Sequence, residues 1–251
     1  MQSPEHCRVT AILGQSPLFE GLNDIELTAL SDAAIIRFFP ARAVIFKECQ
    51  PCLGLWILGT GQVRVSHSGA DGRDHVVGFR SPPAALALWG VLDGQPHAMT
   101  ATTMGPVLAA FLRRSTFLEF VRHRPAVSDA IINVLSKELR RRDIGDGIGA
   151  LKRAHERLAC RLVQFAREYG EVTPTGVRVN VPLSRRDLGG CVGVGVETTI
   201  RTMAKWQREA LISTRKQIIE IHDLTALRRI AGCDECQFDC SVFGFPPAVA
   251  N

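Results

Sequence analysis

Residues 184–212 read SRRDLGGCVGVGVETTIRTMAKWQREALI, and three features of that stretch point to one architecture. Ser184 precedes a short helix-compatible run, where its hydroxyl can cap the first free backbone N–H groups. The GVGV at 193–196 is a tight turn, and a second helix begins near Gly195. The continuation LISTRKQIIEIH (211–222) has the alternation and central break of a β-hairpin. Helix, glycine turn, second helix and hairpin make a winged helix-turn-helix, whose second helix enters the major groove by its N-terminal residues.

On that second helix Glu197 and Arg201 stand four apart and share a face. Arginine suits the O6 and N7 acceptors of guanine, and glutamate suits the cytosine amino group. Lys205 and Arg208 lie farther along, where phosphates are met. Ser184, Arg185, Arg186, Val196 and Thr198 complete the expected DNA-binding set. Taken alone, Glu197 and Arg201 also read as an exposed i,i+4 pair worth a few tenths of a kcal/mol. A nucleotide-binding glycine loop is a poorer reading, because GGCVGVGVE follows a helix rather than a strand and lacks the dinucleotide spacing.

Charge favours nucleic acid. Residues 152–232 hold 15 Lys or Arg against 8 Asp or Glu, whereas residues 1–151 hold 15 against 14. The tail past Cys233 holds three acids and no base. One stretch is therefore basic, and double-stranded DNA is its expected partner.

Working outward, PLFEGLNDIELTALSDAA (17–34) brings Leu22, Ile25, Leu27 and Leu30 near helical spacing, with Asn23 or Asp24 as cap. From AVIFKE onward the period shortens, and SGADGRD (68–74) is a turn-rich link between strands. An antiparallel β domain follows, running to about Phe117. Then AVSDAIINVLSKELRRRD (126–143) sets Ile131, Leu135 and Leu139 on one side, a stripe that predicts a homodimer. Gly145, Gly147 and Gly149 either interrupt this helix or mark a close helix approach. AHERLACRLVQFAREYG (154–170) is a further amphipathic helix ended by Gly170, and EVTPTGVRVNVP (171–182) is a turn-rich link.

The 251 residues, 46% hydrophobic and 22% charged, contain no apolar run near the roughly 18 residues of a membrane span and no signal-peptide pattern at the N-terminus. A cytoplasmic protein without membrane association is expected. In a reducing compartment its eight cysteines are not a disulfide framework. No nucleophile–base set or phosphate loop stands out, so no enzyme is expected.

Residues 184–212 resemble the DNA-binding motif of the CRP/FNR family of bacterial transcription regulators, and VETxxR is nearer its FNR side. SPLFEGLNDIELTAL (16–30) is similar to the family's opening helix, GTGQVRV (59–65) to its β-roll, and AIINVLSKELRRRD (130–143) to its dimerisation helix. The resemblance implies an α+β chain: a β-roll sensor domain like the cyclic-nucleotide-binding jelly roll at 1–122, a dimerisation helix and hinge at 123–151, a winged helix-turn-helix at 152–232, and a Cys-rich tail at 233–251. It also implies a dimer on a two-fold site, RNA polymerase as partner, and Glu197 and Arg201 as base readers. One position departs: Ile200 stands where FNR proteins carry Ser before the recognition Arg. By the same resemblance the nucleotide-anchoring positions are Ala87, His97 and Ala98, none an anchor for ribose or phosphate, so no cyclic nucleotide is expected. Haem is a further alternative, with His67, His75 or His97 as axial ligand.

Cys7, Cys160 and Cys191 are isolated, and the latter two read as small core residues. CQPC places Cys49 and Cys52 either in a plain turn or in a metal or redox pair. In RRIAGCDECQFDC (228–240), Cys233, Cys236 and Cys240 are spaced to converge on one centre. Asp234, Glu235 and Asp239 raise the thiol pKa values, which disfavours a thiol switch. Zinc and an iron–sulfur cluster remain, and each wants a fourth ligand, from Asp143, Asp146, Cys49 or Cys52. FNR proteins characteristically carry an oxygen-labile [4Fe-4S] cluster, and some hold it from the carboxyl end. The resemblance thus implies a sensor of oxygen, nitric oxide or redox state. The alternatives are a zinc-stabilised or thiol-switched regulator.

Overall fold

The structure, a computed structural model, describes residues 4–69 and 74–233. It is α+β, with two compact units, Met1–Ser136 and Lys137–Asn251. The division falls inside the long helix.

The first unit opens with α1 (Pro4–Gly14), a 3₁₀ turn (Pro17–Phe19) and α2 (Asp24–Asp32). Asn23 caps α2: its side chain accepts the Glu26 N–H at 3.0 Å, while the Glu26 carboxylate accepts the Asn23 N–H at 3.2 Å. This reciprocal box is what the Asn-x-x-Glu spacing encodes. Of the apolar residues assigned to this helix, Leu30 is buried but Ile25 is exposed, since the helical stripe is narrower than the run of apolar residues.

Eight strands follow: β1 (Ile35–Phe39), β2 (Val44–Phe46), β3 (Gly54–Thr60), β4 (Val63–Ser68), β5 (Asp74–Arg80), β6 (Ala85–Leu86), β7 (Thr100–Thr103) and β8 (Val107–Arg113), with helix α3 (Leu88–Asp93) between β6 and β7. They form two antiparallel sheets, β1-β8-β3-β6 and β2-β7-β4-β5. Strict alternation gives each strand two faces. Leu58, Leu86, Val107 and Ala109 of one sheet meet Val63, Val65 and Ala101 of the other inside the roll. The opposite face of the first sheet presents Leu55, Ile57, Ala110 and Leu112 to α1, the 3₁₀ turn, α4 (Arg114–Arg122) and the start of α5 (Pro125–Leu151). Phe117 of α4 is fully buried in this layer and meets Phe19 edge-on at 6.3 Å.

Helix α5 is continuous over 27 residues, through Gly145, Gly147 and Gly149. Of the alternatives the sequence left open there, an interruption is not what is observed. Its stripe is also divided. Ile131 is buried within the first unit, with Leu135 packed against the same core, while Ile132 and Leu139 are exposed.

The second unit continues with α6 (Ala154–Tyr169), β9 (Gly170–Thr173), β10 (Gly176–Val179), α7 (Arg185–Gly190), α8 (Val196–Arg208), β11 (Ile212–Arg215), β12 (Ile218–Ile221) and α9 (Leu224–Ile230). Its sheet has the order β11-β12-β10-β9. The stretch 171–182, expected to be a link, is thus mostly a hairpin that extends the wing to four strands. The turn from α6 into β9 has room only for glycine: a Cβ on Gly170 would lie 1.9 Å from the Ala166 carbonyl oxygen. Among the described residues no helix is long and apolar enough to cross a membrane.

Phe117→Ala should lower the unfolding free energy by about 3–5 kcal/mol, the scale of an emptied aromatic site in a core. Chemical denaturation checks this, and an unchanged midpoint would show that Phe117 does not hold the helical layer to the roll.

Candidate nucleic-acid interface

The helix-turn-helix is built on α6, whose Leu158, Leu162, Val163 and Phe165 are buried. Ser184 caps α7, accepting the Asp187 N–H at 3.0 Å and donating to the Asp187 carboxylate at 2.6 Å. The turn is closed by main-chain bonds: Cys191 N–H to Asp187 O at 3.0 Å, and Val194 N–H to Gly189 O at 2.9 Å. Gly193 sits at φ 63, the left-handed region that such a turn demands. Gly189 is required for a different reason. A Cβ there would lie 2.5 Å from the Val194 carbonyl and 2.6 Å from the Thr199 hydroxyl, so α7 packs on the turn and on the buried face of α8 with no room for a side chain.

Helix α8 buries Thr199, Met203 and Trp206, at the i, i+4, i+7 spacing of one helical face. The Thr199 hydroxyl is satisfied locally, donating to the Gly195 carbonyl at 3.0 Å. The opposite face is therefore turned outward, and Val196, Glu197, Ile200, Arg201, Lys205 and Arg208 are all exposed. Gly195 offers no side-chain cap, which leaves the first N–H groups of α8 open for an anion. Among the described residues Glu197 and Arg201 form no ion pair with each other, whereas Lys205 pairs loosely with Glu209 at 3.8 Å.

The remaining sequence candidates divide. Arg186 is exposed. Thr198 is half-buried. Arg185 is half-buried too and donates to the Thr214 hydroxyl on β11 at 3.0 Å, with burial disfavouring its charge. It ties α7 to the wing. The wing's tip was not among the residues singled out from sequence: Lys216 and Gln217 occupy a two-residue turn at φ 49 and 67, and Arg215 and Lys216 are exposed there. Two adjacent cations at the break of a hairpin pattern were the available signal.

The cysteines are scattered among different environments. Cys160 is buried and Cys191 half-buried, with burial pushing the Cys191 thiol up. Cys49 is exposed at φ 63. The Cys52 thiol faces the carbonyls of Ala87 at 3.7 Å and Gly54 at 3.9 Å, and burial raises its pKa. Cys236 and Cys240 lie outside the described residues, among which no group of three or more metal-ligating side chains occurs. Cys233 is half-buried at a fixed place. Its N–H donates to Arg228 O and that of Gly232 to Arg229 O, both at 2.9 Å, with Gly232 at φ 62. These two bonds close α9 in a Schellman motif. The Lys152 ammonium donates to the Ala231 carbonyl at the same helix end. Arg157 then bonds the carbonyls of Lys152 and of Gly193 in the helix-turn-helix, each at 3.3 Å. Asp143 is exposed on α5, and Asp143 and Asp146 precede Leu151 by about 12 and 8 Å of helix rise.

In the roll, Ala87 caps α3 at φ 66 without a side-chain bond. His97 is buried and stacked on Phe46 at 3.9 Å, and burial lowers its pKa. His67 bonds the Glu48 carboxylate at 2.8 Å, and His75 is exposed.

A two-sheet roll joined by one chain to a helix-turn-helix with a hairpin wing defines a regulator with an effector domain and a DNA-reading domain. Residues 36–124 match the cyclic nucleotide-binding domain, and residues 156–230 match the Crp-like helix-turn-helix domain. The chain belongs to the CRP/FNR family of transcription regulators, whose members bind DNA and dimerise. It is 25% identical over 220 residues to the CRP-like cAMP-activated global transcriptional regulator of Mycobacterium tuberculosis, covering 88% of this chain and 98% of that one. It is 23% identical to the transcriptional activator protein FnrA of Stutzerimonas stutzeri, covering 92% and 94%. The fold is similar to that of FixK2 from Bradyrhizobium japonicum, with TM-score 0.68 and 22% identity over 78% of this chain and 96% of that one. It is similar also to CLP of Xanthomonas campestris, with TM-score 0.70 and 19% identity over 80% and 100%. The relatives are regulators rather than enzymes.

Gly189→Ala should destabilise the second unit by about 1–3 kcal/mol, the usual cost of forcing atoms into a filled contact. Urea denaturation followed by Trp206 fluorescence checks this; an unaltered transition would contradict the close approach.

Proposed function

We propose that this regulator senses oxygen, nitric oxide or redox state through an iron–sulfur cluster held by Cys233, Cys236 and Cys240, and reads its operator with the outward face of α8. The observation that carries the sensing half is the position of Cys233. It follows a helix end fixed by two main-chain bonds and by Lys152, so a ligand set begun there starts from an ordered point. The donor chemistry fits, since x2 and x3 spacing in a thiolate trio suits a cluster with one further ligand. Asp143 and Asp146 belong to the same compact unit as Cys233 and are the favoured fourth ligands. Cys49 and Cys52 belong to the other unit, and the Cys52 thiol is already directed at two carbonyls. A bound cluster would supply a group that oxygen or nitric oxide destroys.

The residues of the chain do the rest. Lys152 holds the carbonyl end of α9, the Arg157 guanidinium grips the Lys152 carbonyl, and its other nitrogen grips the turn at Gly193. Any change in how the tail sits at α9 thus reaches the turn two residues ahead of α8. A ligand that favours one such arrangement shifts DNA affinity by its differential binding to the two states. In the roll, neutral His97 and the small side chains of Ala87 and Ala98 support an effector other than a cyclic nucleotide. His67 and His97, engaged with Glu48 and Phe46, disfavour haem.

Glu197 and Arg201 are the base readers of this proposal. Ser184, Arg186, Val196, Thr198 and Lys205 accompany them, and Arg185 braces the wing. The exposed Ile132 and Leu139 give α5 a seam for a second copy. We retain the four-part division at 122, 151 and 232 as the functional one: sensor, dimer helix, reader and tail.

Anaerobic purification followed by iron, sulfide and zinc analysis should return iron and sulfide, both lost in Cys236→Ser. Zinc without either would overturn the cluster in favour of a zinc-stabilised tail. Arg201→Ala should cost about 1–3 kcal/mol on a selected operator and relax base preference, while Lys205→Ala weakens all duplexes alike. Equal losses for Arg201→Ala on operator and random duplex would contradict base reading.

A further inference from the structure

Strands β4 and β5 bring two histidines together on the outside of the roll. In the antiparallel register His67 stands directly opposite His75, with Ser66 opposite Val76 beside them. Ser66 and Val76 are buried whereas both histidines are exposed, so the two imidazoles share the outer face of the hairpin. Residues directly opposite on antiparallel strands have Cβ atoms about 4.5–5.5 Å apart, within the reach of two rings that share one ligand.

One of the rings is already oriented. One oxygen of the Glu48 carboxylate lies 2.8 Å from His67 Nδ1, and the other accepts the Ser68 N–H at 2.8 Å. The Ser68 N–H and His67 hold the Glu48 carboxyl below its ordinary range. An ionised carboxylate can only accept, so Nδ1 carries the proton of the neutral ring and Nε2 keeps its lone pair. Among the described residues Nε2 has no partner. Glu48 is held in turn: its N–H donates to the Thr100 hydroxyl at 3.0 Å, and the N–H of Cys49 donates to the His97 carbonyl at 2.8 Å. A carboxylate behind one imidazole nitrogen, with the other nitrogen open, is the arrangement that orients histidine ligands at metal centres.

We infer that His67 Nε2 and the His75 imidazole hold one divalent transition-metal ion of the copper or nickel class, with Glu48 as the positioning residue for His67. Imidazole suits these ions, and oxygen ligands complete their tetragonal sites. Among the described residues no three metal-ligating side chains converge, so water supplies the remaining positions. Haem does not fit the pair, because an outer hairpin face gives a macrocycle no apolar walls, and a hydrated ion needs none. The pair belongs to the first unit and the cysteine tail to the second, so this site stands or falls independently of what the tail binds.

Titration calorimetry with nickel chloride on the full chain tests this, in the wild type and in Cys236→Ser, which removes a thiolate from the tail. Both should contain a nickel site that His67→Ala and His75→Ala each abolish. His155→Ala, at another exposed imidazole, should leave it unchanged. Nickel(II) is paramagnetic, so in the unsubstituted chain it should broaden the ring-proton NMR signals of His67 and His75 ahead of those of the other histidines. Glu48→Gln should weaken nickel binding about tenfold, the lower end of the loss when an outer partner of a histidine ligand is removed. Nitrogen NMR in alkaline buffer should find His67 as the Nδ1–H tautomer in the wild type and as a mixture of tautomers in Glu48→Gln. No nickel uptake in Cys236→Ser, uptake there that survives His67→Ala or His75→Ala, or earlier broadening of another histidine would overturn the inference. Unchanged affinity in Glu48→Gln, or mixed tautomers already in the wild type, would overturn the part given to Glu48.

Discussion

The contact of Gly189 with the Val194 carbonyl and the Thr199 hydroxyl sets the geometry on which the DNA-reading half depends. Because no Cβ intervenes, α7 packs directly on the turn and on the buried Thr199 of α8, and the five residues between the helices are closed by main-chain bonds. Thr199, Met203 and Trp206 then have one way to be buried. Their burial dictates the roll angle of α8 and hence which side chains face outward. Glu197, Arg201, Val196 and Ile200 are presented by exclusion, and among the described residues Glu197 and Arg201 form no ion pair with each other.

The same economy operates at the far end of the unit. Helix α9 ends where Gly232 adopts a left-handed conformation, and the carbonyl exposed there is taken by Lys152. Arg157 joins the Lys152 carbonyl to the turn at Gly193. Two short polar links therefore separate the root of the cysteine tail from the turn ahead of α8.

Much of this was legible in the sequence where a single physical rule applied. Ser184 and Asn23 capped the helices expected of them, and the hairpin of 211–222 formed because its turn lay between two alternating runs. Other elements escaped because two rules competed. The three glycines of 145–149 lower helix propensity, yet α5 runs through them. The hairpin of β9 and β10 was hidden by Thr-Pro-Thr-Gly, whose turn signal outweighed four-residue strands too short to show a period. Helix α9 had an Asp223 cap and a Gly232 stop, but at seven residues its apolar pattern is brief. For the site, residue types and spacing identified the readers on α8. Only the fold separated Arg185, engaged with Thr214, from Arg186, and added Arg215 and Lys216 at the wing tip.

The central claim is that the outward face of α8 reads bases from the major groove. Chemical interference on the selected operator measures this directly, because methylation at guanine N7 alters the major-groove edge and methylation at adenine N3 alters the minor-groove edge. The account predicts loss of binding when the guanine facing Arg201 carries an N7-methyl group, and no loss at that guanine in the Arg201→Ala protein. Interference confined to adenine N3, or to phosphates alone, would contradict it.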